Sequence, residues 1–88
     1  MSWQVFFSPS ADKQFGKLGR PAQKMIEHYI ATHLEGERAP RRFGKPFLSL
    51  KGAWRYRVGD YRLVCVIREN ELVILVVKVG HRRDIYSS

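Results

Sequence analysis

The chain has 88 residues and a formal net charge of +8, from 16 Lys and Arg against 8 Asp and Glu. That length builds one small core without staples, and a single cysteine, Cys65, inside an apolar run leaves neither a disulfide framework nor a metal-ligand cluster. No apolar run approaches the roughly 20 residues of a membrane helix, and Met1-Ser2-Trp3-Gln4-Val5 lacks the basic-then-apolar order of a signal peptide; the expectation is one cytoplasmic domain over residues 1–88, with no cofactor, metal or membrane contact.

In chain order, Trp3-Gln4-Val5-Phe6-Phe7 reads as a first strand. Ser8-Pro9 ends it, with Ser8 placed to cap a helix and Pro9 to occupy its first turn. Ala11, Phe15 and Leu18 recur at helical spacing, and Gly19 supplies the stop. Pro21 opens a second helix whose apolar stripe is Ala22, Met25, Ile26, Tyr29, Ile30 and Leu34; the short link predicts an antiparallel helical hairpin. His28 and His33 stand five apart, whereas shared metal ligation asks for i and i+4, so both read as surface residues. From Gly36 to Gly44 the chain turns to Gly, Pro and Arg, a basic loop, and residues 47–51 add an edge segment.

Gly59-Asp60 lies between two runs rich in aromatic and β-branched residues, and glycine first suits a type II′ turn. In that hairpin Val58 faces Tyr61, Arg57 faces Arg62 and Arg55 faces Val64. Directly opposed residues share a face, so Arg55, Arg57, Arg62 and Val64 point one way, while Trp54, Tyr56, Tyr61 and Leu63 point toward a core. Like charges opposed in a ladder are destabilising; keeping Arg57 against Arg62 points to an anion between them. Solvation of an edge hairpin is the alternative for the same arginines.

Leu63-Val64-Cys65-Val66-Ile67 and Leu72-Val73-Ile74-Leu75-Val76-Val77 are apolar on both alternating faces and read as central strands joined by a turn at Glu69-Asn70. The fold class is α+β: an N-terminal strand, an antiparallel helical hairpin, then an antiparallel β-meander (β-α-α-β-β-β), helices on one sheet face. The other face stays partly open, apolar at its floor and arginine-rich toward the hairpin. Arg62 opposes Val77 in this register, which brings His81, Arg82 and Tyr86 toward the hairpin arginines.

Residues 1–35 hold four basic and three acidic side chains, residues 36–88 twelve and five, so +7 of the +8 lies in the second half. There Arg38, Arg41, Arg42, Lys45 and Lys51 stand among Phe43, Phe47, Trp54 and Tyr56, an interleaving that suits phosphate neutralisation with base stacking. With Arg83 they form the expected RNA- or ribosome-binding set. A basic surface for solubility, or for an acidic protein partner, fits the same charge.

Leu50-Lys51-Gly52, Trp54-Arg55-Tyr56-Arg57, Gly59-Asp60-Tyr61-Arg62-Leu63 and Gly80-His81-Arg82-Arg83-Asp84-Ile85-Tyr86, in that order after strand-helix-helix, resemble the RelE branch of the RelE/ParE toxin superfamily over nearly the whole chain. The resemblance implies a ribosome-dependent endoribonuclease that cuts messenger RNA in the ribosomal A site and is held inactive by a RelB-like antitoxin with an amphipathic, acidic helix. It also implies operator DNA binding, only through the antitoxin complex. Arg55 and Arg57 match two basic residues of the family, usually lysines; Arg62 matches the arginine of its Tyr-Arg-Leu segment, and Arg82 and Tyr86 match its late arginine and tyrosine.

The implied chemistry is attack of a 2′-hydroxyl on the adjacent phosphodiester, for which converging guanidiniums stabilise the growing negative charge. Arg62 and Arg82 are expected on the phosphate, Tyr86 in base stacking or proton transfer, and Arg55 and Arg57 on the backbone and the attacking hydroxyl. Arginine in place of lysine removes a group able to shed its proton. His81 has the natural pKa for that task, or else serves to hydrogen-bond the C-terminal turn. The competing functions are a ParE-like poison of DNA gyrase and a non-catalytic RNA- or protein-binding module of the same fold.

Overall fold

Strands form where β-branched and aromatic residues run together: β1 is Gln4–Phe7, β2 Lys45–Phe47, β3 Ala53–Val58, β4 Tyr61–Arg68 and β5 Val73–His81 in the computed structural model, which describes residues 2–36 and 39–85. They make one sheet in the order β1-β5-β4-β3-β2. The β2 to β5 meander is antiparallel, and β1 lies parallel to β5. The apolar runs of β4 and β5 are interior strands, as their sequences require. The edge segment expected at 47–51 lies earlier, as β2.

The helices connect β1 to β2 across one face. Helix α1 is Pro9–Gly16, and the Ser8 hydroxyl accepts from the Ala11 N–H at 3.1 Å as its cap. Helix α2 is Arg20–Tyr29, continued by a π-helical turn at Ile30–Leu34. Gly19 caps the start of α2 rather than stopping α1. Gln23 ties α2 back to the end of α1, its amide donating to Phe15 O at 3.1 Å and to Leu18 O at 3.2 Å. The apolar stripe then seats Ala11, Ile26, Ile30 and Leu34 on Tyr56, Leu63, Cys65, Ile74 and Val76 of the sheet. That arrangement is the α+β class, with the α1–α2 pair on one face.

The β3–β4 hairpin has the register its turn dictates, with Val58 opposite Tyr61, Arg57 opposite Arg62 and Arg55 opposite Val64. Gly59 takes φ +59, while Asp60 is not left-handed, which is the type II′ pattern. The β4–β5 pairing differs from expectation. Its link is a 3-10 turn at Glu69–Glu71 followed by left-handed Leu72 at φ 54, and a bulge falls at Val64/Cys65. Arg62 therefore opposes Gly80 instead of Val77.

On the face away from α1 and α2, Phe47, Ala53 and Val64 form a smaller cluster covered by Ile85 from a short helix α3, Arg82–Ile85. No helix among the described residues is long and apolar enough to cross a membrane.

Candidate active site

Alternation places the odd residues of β3 on the face away from the helices, and pairing extends that row across the sheet. Lys45 opposes Arg55, Arg55 opposes Val64, and Val64 opposes Lys78, so one row carries three cations over four strands. The next row toward the hairpin turn holds Arg57, Arg62 and Gly80. Phe43, Lys45, Arg55, Arg57 and Arg62 line a cavity of about 230 Å³. Five basic side chains thus converge on one face, while Phe47, Ala53, Val66 and Leu75 continue that face as an apolar floor.

Arg62 is held by the turn it follows. Its Nη1 donates to Gly59 O at 3.0 Å and Tyr61 O at 2.8 Å, which fixes one side of the guanidinium and leaves its remaining donors for a ligand. Gly80, beside Arg62, leaves space that Ile85 fills, since a Cβ there would meet Ile85 Cδ1 at 3.4 Å. The Arg82 N–H donates to Asp60 O at 2.8 Å, tying the start of α3 to the hairpin turn. The exposed Arg82 side chain therefore begins beside the cationic rows.

The segment before β2 supplies the cavity's remaining wall. A 3-10 turn at Pro40–Phe43 is pinned from below by the buried Tyr56 hydroxyl, which donates to Pro40 O. Burial raises the Tyr56 pKa and keeps that donor protonated. Gly44 permits the approach, because a Cβ at that position would lie 2.7 Å from Tyr56 Cε1. Above this anchor, Phe43 makes an edge contact with His33, centroids 4.8 Å apart, and His33 stacks on Tyr29 at 4.3 Å. His33, expected as a surface residue, is half-buried in contact with the Tyr29 and Phe43 rings.

Several expected residues do not line the cavity. His81 opposes Tyr61, their rings 5.7 Å apart, on the helix side of the sheet. Its Nδ1 accepts from Arg83 N and Nε, both at 3.3 Å. Arg41 pairs with Glu69 at 2.7 Å and lies over Trp54, while Arg42 lies over Phe43. Lys51 is exposed in the β2–β3 connection. Arg38 and Tyr86 fall outside the described residues.

Lys78 was not legible as a site residue, although it is the one charge within the apolar β5 run. Among the described residues no group of three His, Cys, Asp or Glu side chains gathers to hold a metal ion. The arrangement is suited to bind phosphate and to stabilise charge on it.

The family described as the ParE toxin of type II toxin-antitoxin systems, parDE, matches residues 5–86. Toxin RelG of Mycobacterium tuberculosis is 31% identical over 87 residues, covering 98% of each chain. The toxin–antitoxin complex RelBE2 of the same organism superposes with a TM-score of 0.79 at 27% identity, over 91% of each chain. The intact E. coli RelBE toxin–antitoxin complex gives 0.75 at 21% identity, over 90% of this chain and 95% of that one, a likeness of fold.

Proposed function

Since this chain belongs to the RelE branch of the RelE/ParE superfamily and is a toxin of a type II toxin-antitoxin system, we propose that it is a ribosome-dependent endoribonuclease that cuts messenger RNA in the ribosomal A site in the cytoplasm. The supporting observation is the opposed pair Arg57 and Arg62 beside Arg55 and Lys45 around one cavity. A fold that sets like charges opposite one another forgoes stability, and a bound phosphate restores it.

In the proposed reaction the 2′-hydroxyl attacks phosphorus, the bond to the 5′-oxygen breaks, and a cyclic phosphate and a 5′-hydroxyl result. Arg62 holds the phosphate, with Arg82 beside it at the start of α3. Arg55 and Arg57 stabilise the phosphorane oxygens and favour the ionised 2′-oxygen. The two proton transfers need a carrier other than these arginines, because a guanidinium is no proton donor or acceptor in such a step; Tyr86 is assigned that role or base stacking. His81, turned to the helix side, is assigned to holding the C-terminal turn.

A RelB-like antitoxin is the proposed partner, since neighbouring structures are toxin–antitoxin complexes and a +8 chain with an apolar floor beside its cations fits an acidic amphipathic helix. Operator DNA is reached only through that complex. Arg41, Arg42, Lys51 and Arg83 add basic surface for the ribosome.

Primer extension on a message in a translating bacterial extract tests the reading. Breaks within ribosome-occupied codons, absent without ribosomes and absent with Arg62→Ala, are expected. The family description also names ParE, which keeps a gyrase poison as the second reading. An intact message together with lost gyrase supercoiling would select it.

A further inference from the structure

Four aromatics are interleaved with the basic residues before and within the hairpin, and the fold gives them different fates. Tyr56 is fully buried, Phe47 is 4% exposed, and Trp54 packs against the helix-side core. Phe43 alone of the four is both exposed, at 41%, and part of the wall around Lys45, Arg55, Arg57 and Arg62. Contacts with His33 and Arg42 still leave Phe43 41% exposed, and aromatic surface left to solvent beside these cations calls for a use.

Its mounting points to that use. Phe43 stands on a 3-10 turn clamped by Tyr56 through Pro40, and its ring is set at 88° to His33, which lies at 9° to Tyr29. A ring braced in this way has little rotamer freedom left to lose on binding. The cavity, about 230 Å³, falls below the ~300 Å³ of ordinary small-molecule pockets, and it opens onto the sheet face. Cations and a braced aromatic around one cavity match the two halves of one nucleotide, phosphate and base.

We infer that Phe43 is a stacking platform for a nucleobase adjoining the phosphate held by Arg55, Arg57 and Arg62, and so a positioning residue for single-stranded RNA. The inference rests on the proposed RNA-directed activity and goes beyond it by naming the base contact. Stacking is tolerant of base identity, so Phe43 sets the placement of the strand rather than its sequence.

The test uses the full chain and a short 2′-O-methyl RNA, which cannot be cut, carrying 2-aminopurine at successive positions. Quenching at one position is expected for the unmodified protein and for Phe43→Trp. Phe43→Leu and Phe43→Ala should lose the quench and about 10-fold in affinity; the leucine variant preserves apolar volume, so its loss separates stacking from packing. Equal affinity for an RNA abasic at the quenched position, quenching unchanged in Phe43→Ala, or no quench with the unmodified protein would each overturn the inference. Quenching retained while messages stay whole in the translating extract would remove the nuclease and leave the platform.

Discussion

Arg57 and Arg62 are direct partners across the β3–β4 hairpin, and both line the same cavity. They are not equivalent. Arg62 is tied to Gly59 and Tyr61 carbonyls, whereas Arg57 is exposed and has its charge opposed by a like one. Arg57→Gln should therefore raise stability, by about 0.2–1 kcal/mol at low salt, the usual scale of a cross-strand pair. Urea denaturation with and without inorganic phosphate measures it: the gain should shrink when phosphate occupies the site, and a destabilised variant would contradict the electrostatic account.

For Arg62 the expected effect lies in rate rather than stability. Arg62→Ala should slow message cleavage by about 10²–10³, the cost of removing one donor from a developing oxyanion. Arg62→Lys should recover little, because an ammonium cannot hold two turn carbonyls and a phosphate in one plane. Single-turnover cleavage on programmed ribosomes, with thermal melting as the fold control, measures both. Full activity of the lysine variant would show that charge alone suffices.

These two residues were legible because the information that aligns them is local. Gly59-Asp60 fixes a two-residue turn, and each partner follows by counting. The β4–β5 pairing carries no such signal: Leu72 takes φ 54 although apolar, and the bulge beside Val64 leaves no mark in the composition. The resulting shift is three residues, an odd number, and an odd shift exchanges faces. His81 accordingly moves from the arginine side to Tyr61, and Lys78 moves into the row of Lys45 and Arg55. Phe43 was visible only as one aromatic among four, since its exposure depends on the fold of the Pro40–Phe43 turn.

Gly44 joins core packing to that turn. Its φ of −115° is open to any residue, so only contact opposes a side chain: a Cβ at Gly44 would meet Tyr56 Cζ at 2.9 Å and Arg55 O at 3.0 Å. Gly44→Ala should cost about 1–3 kcal/mol, the scale of overpacking. Tyr56→Phe should cost about 1–3 kcal/mol by leaving the Pro40 carbonyl without its donor. Chemical denaturation of each, read with RNA affinity, should show stability and binding falling together, because the same turn carries Phe43. Unchanged affinity in both variants would separate the turn from the site.

Alkaline pH isolates a different buried group. Burial raises the Cys65 pKa from an ordinary value of 9.0, so above pH 9 the unfolded chain releases a proton that the folded chain keeps. Protons favour the fold, and its stability falls as pH rises. The contribution is complete below pH 9; between pH 9 and 10 Cys65 should cost about 1 kcal/mol. Tyr29 and Tyr56, also raised by burial from 10.0, add to the loss only above pH 10. Cys65→Ala should be less stable at pH 7 for the lost packing, yet have the flatter profile from pH 9 to 10. Parallel denaturation curves for the two proteins across that interval would show that Cys65 ionises as readily folded as unfolded.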